Sequence, residues 1–383
     1  MLSDVIIAVS DRICNLQNPD GSFPAGHNGP YHDPETPVRT SGHWLMTFAK
    51  CYELTGNAKY RDKVCEIAGY LSSSEARPHG FSFHHRTKKG KDSCNGLMGQ
   101  AWTIEALVTA AEVLGDEKYR SIAADVFTKH QFNHEYGLWN RLEIDGQVLS
   151  MDETFNHQLW YAACGSLIGD EHPEVMDRVG RFIECLPQNL TILDDGLIHH
   201  HIERLRENIS IDDLHAGLLS TFQKFRYIGL IKKVPLIGMD LDDRIRKQKH
   251  KSIGYHSFNM YAFALLKKNL PSGKFWETEN FKKAVDYMLK DEYAYALESN
   301  KYGYPYNPPG FEVPYSLYML KHMDENELVD ITDRWVNRQF RKCYNHETGM
   351  LDRNTEDPIT HTSRIYELTR MPSAILHRVQ LKD

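Results

Sequence analysis

The chain has 383 residues, of which 41% are hydrophobic, 25% charged and 11% aromatic. This composition is typical of a globular protein with a sizeable core, and it excludes disordered and fibrous classes. A net charge of −7 argues against nucleic acid as a partner, because that binding depends on Lys and Arg neutralising phosphates. Length alone favours two or three domains, so a single domain requires positive evidence.

No run of about 18 apolar residues is present, so the sequence predicts no membrane span. The amino-terminal stretch contains Asp4 and Asp11 and lacks a basic region, which indicates a helix and not a signal peptide. Seven cysteines without a CxxC pair fit a reducing compartment. These features predict a cytoplasmic protein.

An internal repeat defines the predicted fold. The segment 51–71 is echoed at 111–127 and more faintly at 165–183. In each copy an apolar helix ends at a glycine, a short turn follows, and an amphipathic helix begins. The three glycines, Gly56, Gly115 and Gly169, suit the left-handed cap that commonly ends a helix. Each copy therefore predicts an antiparallel helical hairpin.

The hairpin pattern extends over the whole chain. The apolar, inner helices are predicted near 41–55, 97–114, 152–168, 255–269, 312–323 and 360–371. The amphipathic, outer helices are predicted near 2–17, 57–72, 116–130, 171–186, 275–291 and 325–342. Six inner and six outer helices predict an all-α (α/α)6 toroid that forms one domain over 1–383, with an insertion at about 187–253. An open helical solenoid is the structural alternative.

This arrangement predicts that one rim of the ring carries the function. The long connections at 18–40, 73–96, 131–151, 187–254, 292–311 and 343–359 lie on that rim, and loops of such length are usually functional. With the first turns of the inner helices they contain every histidine except His130, His172, His322 and His377. Small β-hairpins are predicted on the same rim at 136–151 and 191–205, each with an Asp-Gly turn.

The third inner helix opens with the sharpest local feature, SMDETFNHQLW. Helical spacing places Asp152 and Asn156 on one face, and Glu153 and His157 on another. We therefore take Asp152, Glu153 and His157 as candidate catalytic residues. A purely structural interpretation makes Asp152 a helix cap and Glu153 an acid that supports the helix dipole.

Four motifs carry a resemblance to known families: NPDGSFPAG (18–26), SGHWL (41–45), NGLMGQAWTIEAL (95–107) and MDETFNHQLW (151–160). The last resembles the catalytic helix of the unsaturated glucuronyl and rhamnogalacturonyl hydrolases, which are (α/α)6 toroids. Together the motifs resemble more closely the AglQ family, which is encoded in glycan-assembly clusters and regarded as glycoside-hydrolase-like. The resemblance implies a glycan substrate and chemistry without a metal or other cofactor.

The resemblance also implies roles for individual residues. In the uronyl hydrolases the Asp that matches Asp152 protonates a vinyl ether and assists the addition of water. A second family Asp precedes the next inner helix, where this chain has Asn95, with Asp92 further upstream. Because glycoside hydrolysis usually needs two carboxylates, Asp152 requires another partner. Glu153, Asp195, Asp212 and Glu312 all remain candidates.

Other polar and aromatic residues of the rim are candidates for sugar binding. Aromatic side chains offer flat faces to sugar rings, although a helical Trp is more often part of the core. Arg39, Arg86, Lys88, Arg353 and Arg364 can pair with a uronate carboxylate. The predicted binding residues are His43, Trp44, His85, Arg86, Gln100, Trp102, Trp139, Asn156, His201, His256, Tyr304, Tyr306, His361 and Arg364; Trp160 and Tyr302 are further aromatic candidates.

We thus predict a hydrolase-like enzyme of glycan biosynthesis or processing that acts on a uronic-acid-containing glycan, with Asp152 as general acid or base. The alternatives are an epimerase using histidine pairs drawn from His43, His157, His256 and His361, or a non-catalytic glycan-binding scaffold. His199 and His201 permit a metal pair, but no further ligands follow at a recognisable spacing. The stretch 242–252 is predicted to be a solvated linker, with contact to a phosphate-bearing lipid-linked glycan as the alternative. The apolar part of the insertion, 217–238, is a candidate homodimer interface.

Overall fold

The computed structural model describes residues 1–169, 171–207 and 241–382, and most of these residues are helical. The helices are α1 (Leu2–Ile13), α2 (Val38–Thr55), α3 (Ala58–Leu71), α4 (Gly96–Leu114), α5 (Lys118–Lys129), α6 (Phe155–Ser166), α7 (Pro173–Asn189), α8 (Glu203–Glu207), α9 (Leu241–Asn269), α10 (Glu279–Tyr287), α11 (Asp291–Ala296), α12 (Pro309–Leu320), α13 (Glu325–Cys343), α14 (Pro358–Ser363) and α15 (Ser373–Leu376). A 3₁₀ turn at Arg364–Leu368 continues α14.

The inner helices form a closed ring. In chain order α2, α4, α6, α9 and α12 each contact the next, α12 contacts the 3₁₀ turn after α14, and that turn contacts α2. The outer helices α1, α3, α5, α7, α10 and α13 surround this ring. The structure therefore confirms the predicted (α/α)6 toroid and excludes the open solenoid.

Two glycines make the predicted hairpin turns. Gly56 ends α2 at φ 64° and Gly115 ends α4 at φ 68°, both in the left-handed region that glycine adopts without steric cost. The Asn57 side chain then accepts a hydrogen bond from the amide of Lys59 at 3.1 Å and caps α3. The outer helices α3 and α5 thus return along the inner helices α2 and α4 that precede them.

The two chain ends meet, as the repeat predicts. The amide of Leu2 donates to the carbonyl of Val379 at 2.9 Å, and α1 packs beside α15. The carboxylate of Asp357, at the start of α14, accepts the amide of His27 at 2.8 Å and that of Gly29 at 3.1 Å. The last inner helix therefore holds the first long loop of the functional rim.

A three-stranded antiparallel sheet in the order β1 (Phe132–Asn133), β2 (Leu138–Leu142) and β3 (Val148–Met151) lies on this rim. It confirms the hairpin predicted at 136–151. The hairpin predicted at 191–205 is present but shorter: Ile192 and Ile198 form an antiparallel bridge across the Asp-Gly turn, and the amides of Leu193 and His199 donate to the carbonyls of Leu197 and Thr191, each at 2.9 Å. His201 pairs instead with Thr154, which draws this segment onto the start of α6.

The fourth inner helix is longer than predicted. Because α9 begins at Leu241, the stretch 242–252 is helical, and the solvated linker predicted there is wrong. Asp212 and the apolar stretch 217–238 lie outside the described residues. Across the part of the chain that the structure describes, every helix is too short or too polar to cross a bilayer.

Candidate active site

A cavity opens on the rim where the inner helices begin. It encloses about 640 Å³ including the part open to solvent. An adjoining groove shares Arg86, Thr154 and His157 with the cavity and extends past Asp152 and Glu153. The cavity is lined by Asn28, Tyr31, Asp33, Arg86, Lys91, Asn95, Met98, Trp102, Thr154, Asn156, His157, His200, Lys251, Tyr255, Phe258, Tyr306, Asn307 and Arg364.

An aspartate–histidine pair lies where the cavity meets the groove. Asp152 Oδ2 is 2.8 Å from His157 Nδ1, and Asp152 Oδ1 accepts the amide of Thr154 at 3.1 Å. The carboxylate thereby orients the imidazole and favours a proton on Nδ1, so that Nε2, on the opposite side of the ring, is the basic nitrogen. This is the arrangement of a histidine base positioned by a carboxylate.

The pairing differs from the one that helical spacing predicts. Asp152 and Glu153 precede α6, which begins at Phe155, so the i, i+4 spacing does not apply to Glu153 and His157. Instead, Glu153 accepts the amide of Ile202 through its main-chain carbonyl at 3.0 Å. Asp152 is therefore the partner of His157, and Glu153 lines the groove.

Asp152 is an ionised carboxylate. Burial alone raises the pKa of Asp152, but the neighbouring His157 and the Thr154 amide outweigh burial, and the net effect is a lowered pKa. A carboxyl group in this state does not donate a proton at neutral pH. A role in positioning His157 is therefore an alternative to the general acid or base role predicted for Asp152 from the sequence.

A second carboxylate, Asp92, lies beside the groove. Asp92 Oδ1 is 2.9 Å from Arg86 Nη2, and Asp92 Oδ2 is 2.9 Å from Arg141 Nη1. Although burial opposes it, the two guanidinium groups and the Gly96 amide lower the pKa of Asp92. Asn95, which the resemblance places nearer than Asp92 to the position of the second family Asp, accepts a hydrogen bond from Arg86 at 3.0 Å. Asn95 is therefore a neutral part of the cavity wall.

Gly96 brings the two carboxylates together. Its amide donates to Asp92 Oδ1 at 2.9 Å, and a Cβ atom at this position would lie 2.7 Å from Asp152 Oδ2. Both carboxylates therefore flank one glycine, within the separation of less than about 10 Å that glycosidases use. Of the four predicted partners, Glu153 lines the groove, Asp195 and Glu312 lie away from it, and Asp212 is outside the described residues.

Tyrosines form one wall of the cavity. The hydroxyl groups of Tyr31 and Tyr255 are 2.8 Å apart, and the Tyr306 hydroxyl donates to Asn28 Oδ1 at 2.8 Å. The ammonium of Lys251 lies 5.4 Å from the ring centre of Tyr31 and 5.7 Å from that of Tyr255. This wall combines flat aromatic surface with a positive charge, which suits a sugar that carries an acidic group.

Arg364 reaches the cavity, but protein groups already accept all its hydrogen bonds. Its donors go to Glu367, to Glu312 at 2.8 Å, to Asn307 Oδ1 at 3.2 Å and to the carbonyl of Tyr306 at 3.4 Å. Burial raises the pKa of Glu312 to about 7 against the opposing charge of Arg364. The structure therefore assigns Arg364 to a buried ion-pair cluster and not to direct pairing with a substrate carboxylate.

The structure divides the other predicted residues into two groups. Asn95, His157, Arg86, Trp102, Asn156, Tyr306 and Arg364 line the cavity, and Asp152 and Glu153 line the groove. The other predicted binding residues line neither the cavity nor the groove: His43, Trp44, His85, Gln100, Trp139, His201, His256, Tyr304 and His361.

The histidines of this second group show why position on the rim is not enough. His256 Nε2 bonds the carbonyl of Ala284 at 3.0 Å, and His361 Nδ1 bonds that of Leu351 at 2.9 Å. Burial lowers the pKa of each ring to about 4, so both are neutral structural groups. His43 packs against Tyr366 with ring centres 4.3 Å apart. Of the histidines proposed for epimerase pairs, His157 reaches the cavity.

The cavity also contains residues that the sequence analysis did not select. Lys251 lies in the part of α9 that was predicted to be a linker, and Tyr255 lies about one helical turn further along the same helix. His200 was one of three adjacent histidines, and the bridge at Thr154 brings it to the cavity. The others are Asn28, Tyr31, Asp33, Lys91, Met98, Thr154, Phe258 and Asn307, and the polar loop that follows NPDGSFPAG was the available signal for the first three.

The two histidines whose spacing permits a metal pair can also be located. His199 Nδ1 lies 3.1 Å from the main-chain carbonyl of His201, so its ring bonds to the protein backbone. Within 1–169, 171–207 and 241–382, no three His, Cys, Asp or Glu side chains are grouped so that they could hold a metal ion.

The closed double ring defines a class of proteins in which several sugar enzymes are found. The fold is similar to cellobiose 2-epimerase from Bacillus thermoamylovorans (TM-score 0.62, 10% identity, 96% of each chain). It is also similar to an unsaturated glucuronyl hydrolase specific for heparin (TM-score 0.60, 12% identity, 98% of this chain and 96% of that one). A D-mannose isomerase gives a TM-score of 0.61 at 14% identity, with 97% of each chain covered. These similarities establish the fold.

Sequence similarity then establishes the family. The chain is 42% identical over 373 residues to archaeal glycosylation protein Q of Haloferax volcanii, and the match covers 97% of both proteins. The chain therefore belongs to the archaeal glycosylation protein Q family, which the four motifs indicated. No family model matches the chain.

Proposed function

We propose that the protein is a carbohydrate-active enzyme of glycan assembly in which His157 transfers a proton to or from a bound sugar. The observation that carries this proposal is the 2.8 Å contact between Asp152 Oδ2 and His157 Nδ1 at the edge of the cavity. The relative of the protein in Haloferax volcanii is named for glycosylation, and solved structures with the same fold include epimerases, an isomerase and hydrolases.

Epimerisation or isomerisation is the reaction that this geometry supports best. His157 would remove a proton from a carbon beside a carbonyl or carboxylate group, and the electron pair would move to that group's oxygen. A proton from solvent water then adds to the other face of the carbon as the electron pair returns, and His157 releases its proton to solvent, which completes an epimerisation. His200 is the second imidazole that lines the cavity, and burial with nearby Lys251 lowers its pKa, so that its ring is neutral.

A uronic acid is the proposed substrate unit. Arg86, Lys91 and Lys251 line the cavity together with one acidic residue, Asp33. Positive groups bind the carboxylate and also stabilise the charge that develops on it when the neighbouring carbon loses a proton.

The seven cysteines are all free thiols, which supports the cytoplasmic location expected from the sequence.

Hydrolysis is a second candidate, because Asp92 and Asp152 flank Gly96 at a spacing suited to glycosidases. Both carboxylates have lowered pKa values, whereas a glycosidase needs one acid with a raised pKa. A hydrolytic mechanism would therefore assign the acid role to His157. The Asp152 contact is shared by both mechanisms, and the product distinguishes them.

The test is incubation of the protein with a panel of uronic acids and uronate-containing oligosaccharides in deuterated water. We expect deuterium at one sugar carbon by NMR and loss of this exchange in His157→Gln. The matched control is His134→Gln, an exposed histidine on the β1–β2 turn outside the cavity. Cleaved products without exchange would replace epimerisation by hydrolysis, and full activity of His157→Gln would refute the proposal.

A further inference from the structure

The cavity has a closed floor, because the centre of the ring is filled directly beneath it. Trp102 lines the cavity, and Glu105 lies about one helical turn further along α4. Glu105 Oε1 is 2.6 Å from Arg370 Nη2, and the Tyr261 hydroxyl donates to the carbonyl of Glu367 at 3.1 Å. The first contact joins α4 to the segment after α14 and the second joins α9 to it. Neither pair is adjacent in the ring, so these contacts cross its centre.

The opposite rim is a separate surface. A second, more open cavity there is lined at the ends of the inner helices by residues such as Lys50, Tyr318 and Arg370. It has no lining residue in common with the first cavity. A glycan chain therefore cannot pass through the ring from one rim to the other.

Three residues that line the cavity carry buried polar atoms that have no hydrogen-bond partner in the protein. These atoms are Trp102 Nε1, Asn156 Oδ1 and His200 Nδ1, on residues that are 4%, 2% and 2% exposed. A buried polar group without a hydrogen bond costs about 1–3 kcal/mol, so these atoms are suited to a polar ligand or water. Met98 and Phe258 add apolar surface beside them. A donor, acceptors and apolar faces together match the hydroxyl groups and C–H faces of a sugar ring.

The mouth of the cavity has a different character. Lys91 forms an ion pair with Asp33 at 2.7 Å and lines the cavity with Arg86 and Lys251. Arg86 also pairs with Asp92 at 2.9 Å, so three cationic groups meet two carboxylates there. A negatively charged substituent of the ligand is therefore better accommodated at the mouth than on the floor.

We infer that the cavity binds the end of a glycan, one sugar ring deep, and not an internal residue of a longer chain. The terminal ring rests on the Trp102 and Asn156 floor, and its acidic group, a uronate carboxylate or a phosphate ester, lies at the cationic mouth. The rest of the glycan leaves through the groove past His157. This inference rests on the proposed function, because it assumes a sugar ligand, but it does not depend on which reaction follows.

Equilibrium binding tests the inference with the complete chain. The probes are D-glucuronate, D-galacturonate, α-D-glucose 1-phosphate, D-glucose and a trisaccharide whose glucuronate is linked on both sides. At least one acidic monosaccharide should bind about tenfold more tightly than D-glucose, because hydrogen bonds to charged groups are the stronger ones. The trisaccharide should not compete. Selective binding of the uronates or of the phosphate ester identifies the acidic group.

Equal competition by the trisaccharide would overturn the inference, and so would failure of every acidic probe to bind. Trp102→Phe retains an aromatic ring but removes the indole N–H, and it should weaken the best probe about 3- to 10-fold. The matched control is Trp139→Phe, because Trp139 Nε1 is also buried without a partner but lies away from the cavity. Equal effects of the two variants would show that the Trp102 indole is a packing group only.

Lys251→Gln provides a test away from the buried floor. It should lower the affinity for the acidic probe about tenfold and leave the weaker binding of D-glucose unchanged. Lys249→Gln is the control on the same helix, since Lys249 pairs with Asp195 and does not line the cavity. Binding that persists in His157→Gln without exchange supports the pocket while testing the proposed chemistry separately. Equal deuterium exchange in terminal and internal uronates would refute the inference that the cavity binds only the end of a glycan, but it would leave the proposed chemistry intact.

Discussion

Replacing Asp152 by Asn tests whether the carboxylate sets the proton position on His157. The amide has nearly the same shape, and its oxygen can still accept the Thr154 amide, now at 3.1 Å. Its nitrogen then takes the place of Oδ2, 2.8 Å from His157 Nδ1, and donates where the carboxylate accepted. His157 must accept at Nδ1 and carry its proton on Nε2, which removes the basic nitrogen from the cavity.

The expected loss in kcat is about 10²- to 10⁴-fold, the range for a misoriented or wrongly protonated histidine base. This corresponds to about 3–5 kcal/mol of transition-state stabilisation. Stability should change less, by about 1–3 kcal/mol, because one charge-assisted hydrogen bond of a mostly buried side chain is replaced. Because the pKa of Asp152 is lower in the folded protein than in the unfolded chain, its ionisation stabilises the fold at pH values above the unfolded pKa of about 3.9. This stabilisation is lost as the pH falls through the folded pKa. Asp152→Asn should therefore unfold less steeply in acid.

The assay is the rate of deuterium incorporation or product formation at neutral pH, together with urea unfolding from pH 3 to pH 7. His157→Gln should lose as much activity as Asp152→Asn, and the double variant should lose little more, because the two residues act as a unit. A folded Asp152→Asn protein within threefold of the parent rate would refute the role of the pair.

Three further predictions concern the surroundings of the site. Alanine at Gly96 or at Gly90 must adopt a left-handed backbone conformation, which costs about 1 kcal/mol at either position, but only a Cβ atom at Gly96 meets Asp152. Enzyme activity should therefore fall in Gly96→Ala and not in Gly90→Ala. Equal activities of the two variants would contradict the steric argument. Burial raises the pKa of Glu312 to about 7, so the free energy of unfolding should decrease as the pH rises from about 4.3 to 7. Glu312→Gln should make this pH dependence less steep in urea titrations. An unchanged slope would disprove the assignment. Asp357→Asn should destabilise the loop at 27–29 by about 1–3 kcal/mol, because the Asp357 carboxylate accepts two amides of this loop. The loop amides should then exchange faster with solvent hydrogen. Exchange at the parent rate would show that the loop does not depend on the carboxylate.

The ring could be predicted because its signals are local. Helical periodicity, the glycines that end α2 and α4, and the Asn57 cap each depend on a few consecutive residues. The regular alternation of apolar and amphipathic helices then left a closed ring as the simplest way to bury both faces of the inner helices. The same reasoning failed at 242–252, where a charged segment without an apolar stripe is nevertheless the beginning of α9.

The site was only partly predictable. Asp152 and His157 were both selected, but the assumed helical register paired His157 with Glu153, whereas α6 begins after both acids. The histidines at the starts of inner helices were selected by position, and a position on the rim does not determine whether a ring faces the cavity or the wall. His256 and His361 face the wall because backbone carbonyls accept their hydrogen bonds there.

By itself, the sequence determined the helical hairpins, since these follow from short-range periodicity and capping; it predicted one closed ring with the long loops on a single rim, and the contacts between the first and last inner helices confirm the closure. Only the tertiary structure decided that Asp92, Gly96 and Asp152 converge and that Lys251, about a hundred residues later, faces the same cavity as His157. Such neighbours depend on how loops cross the rim and how helices rotate about their axes, and the distance between two residues along the chain carries no information about either.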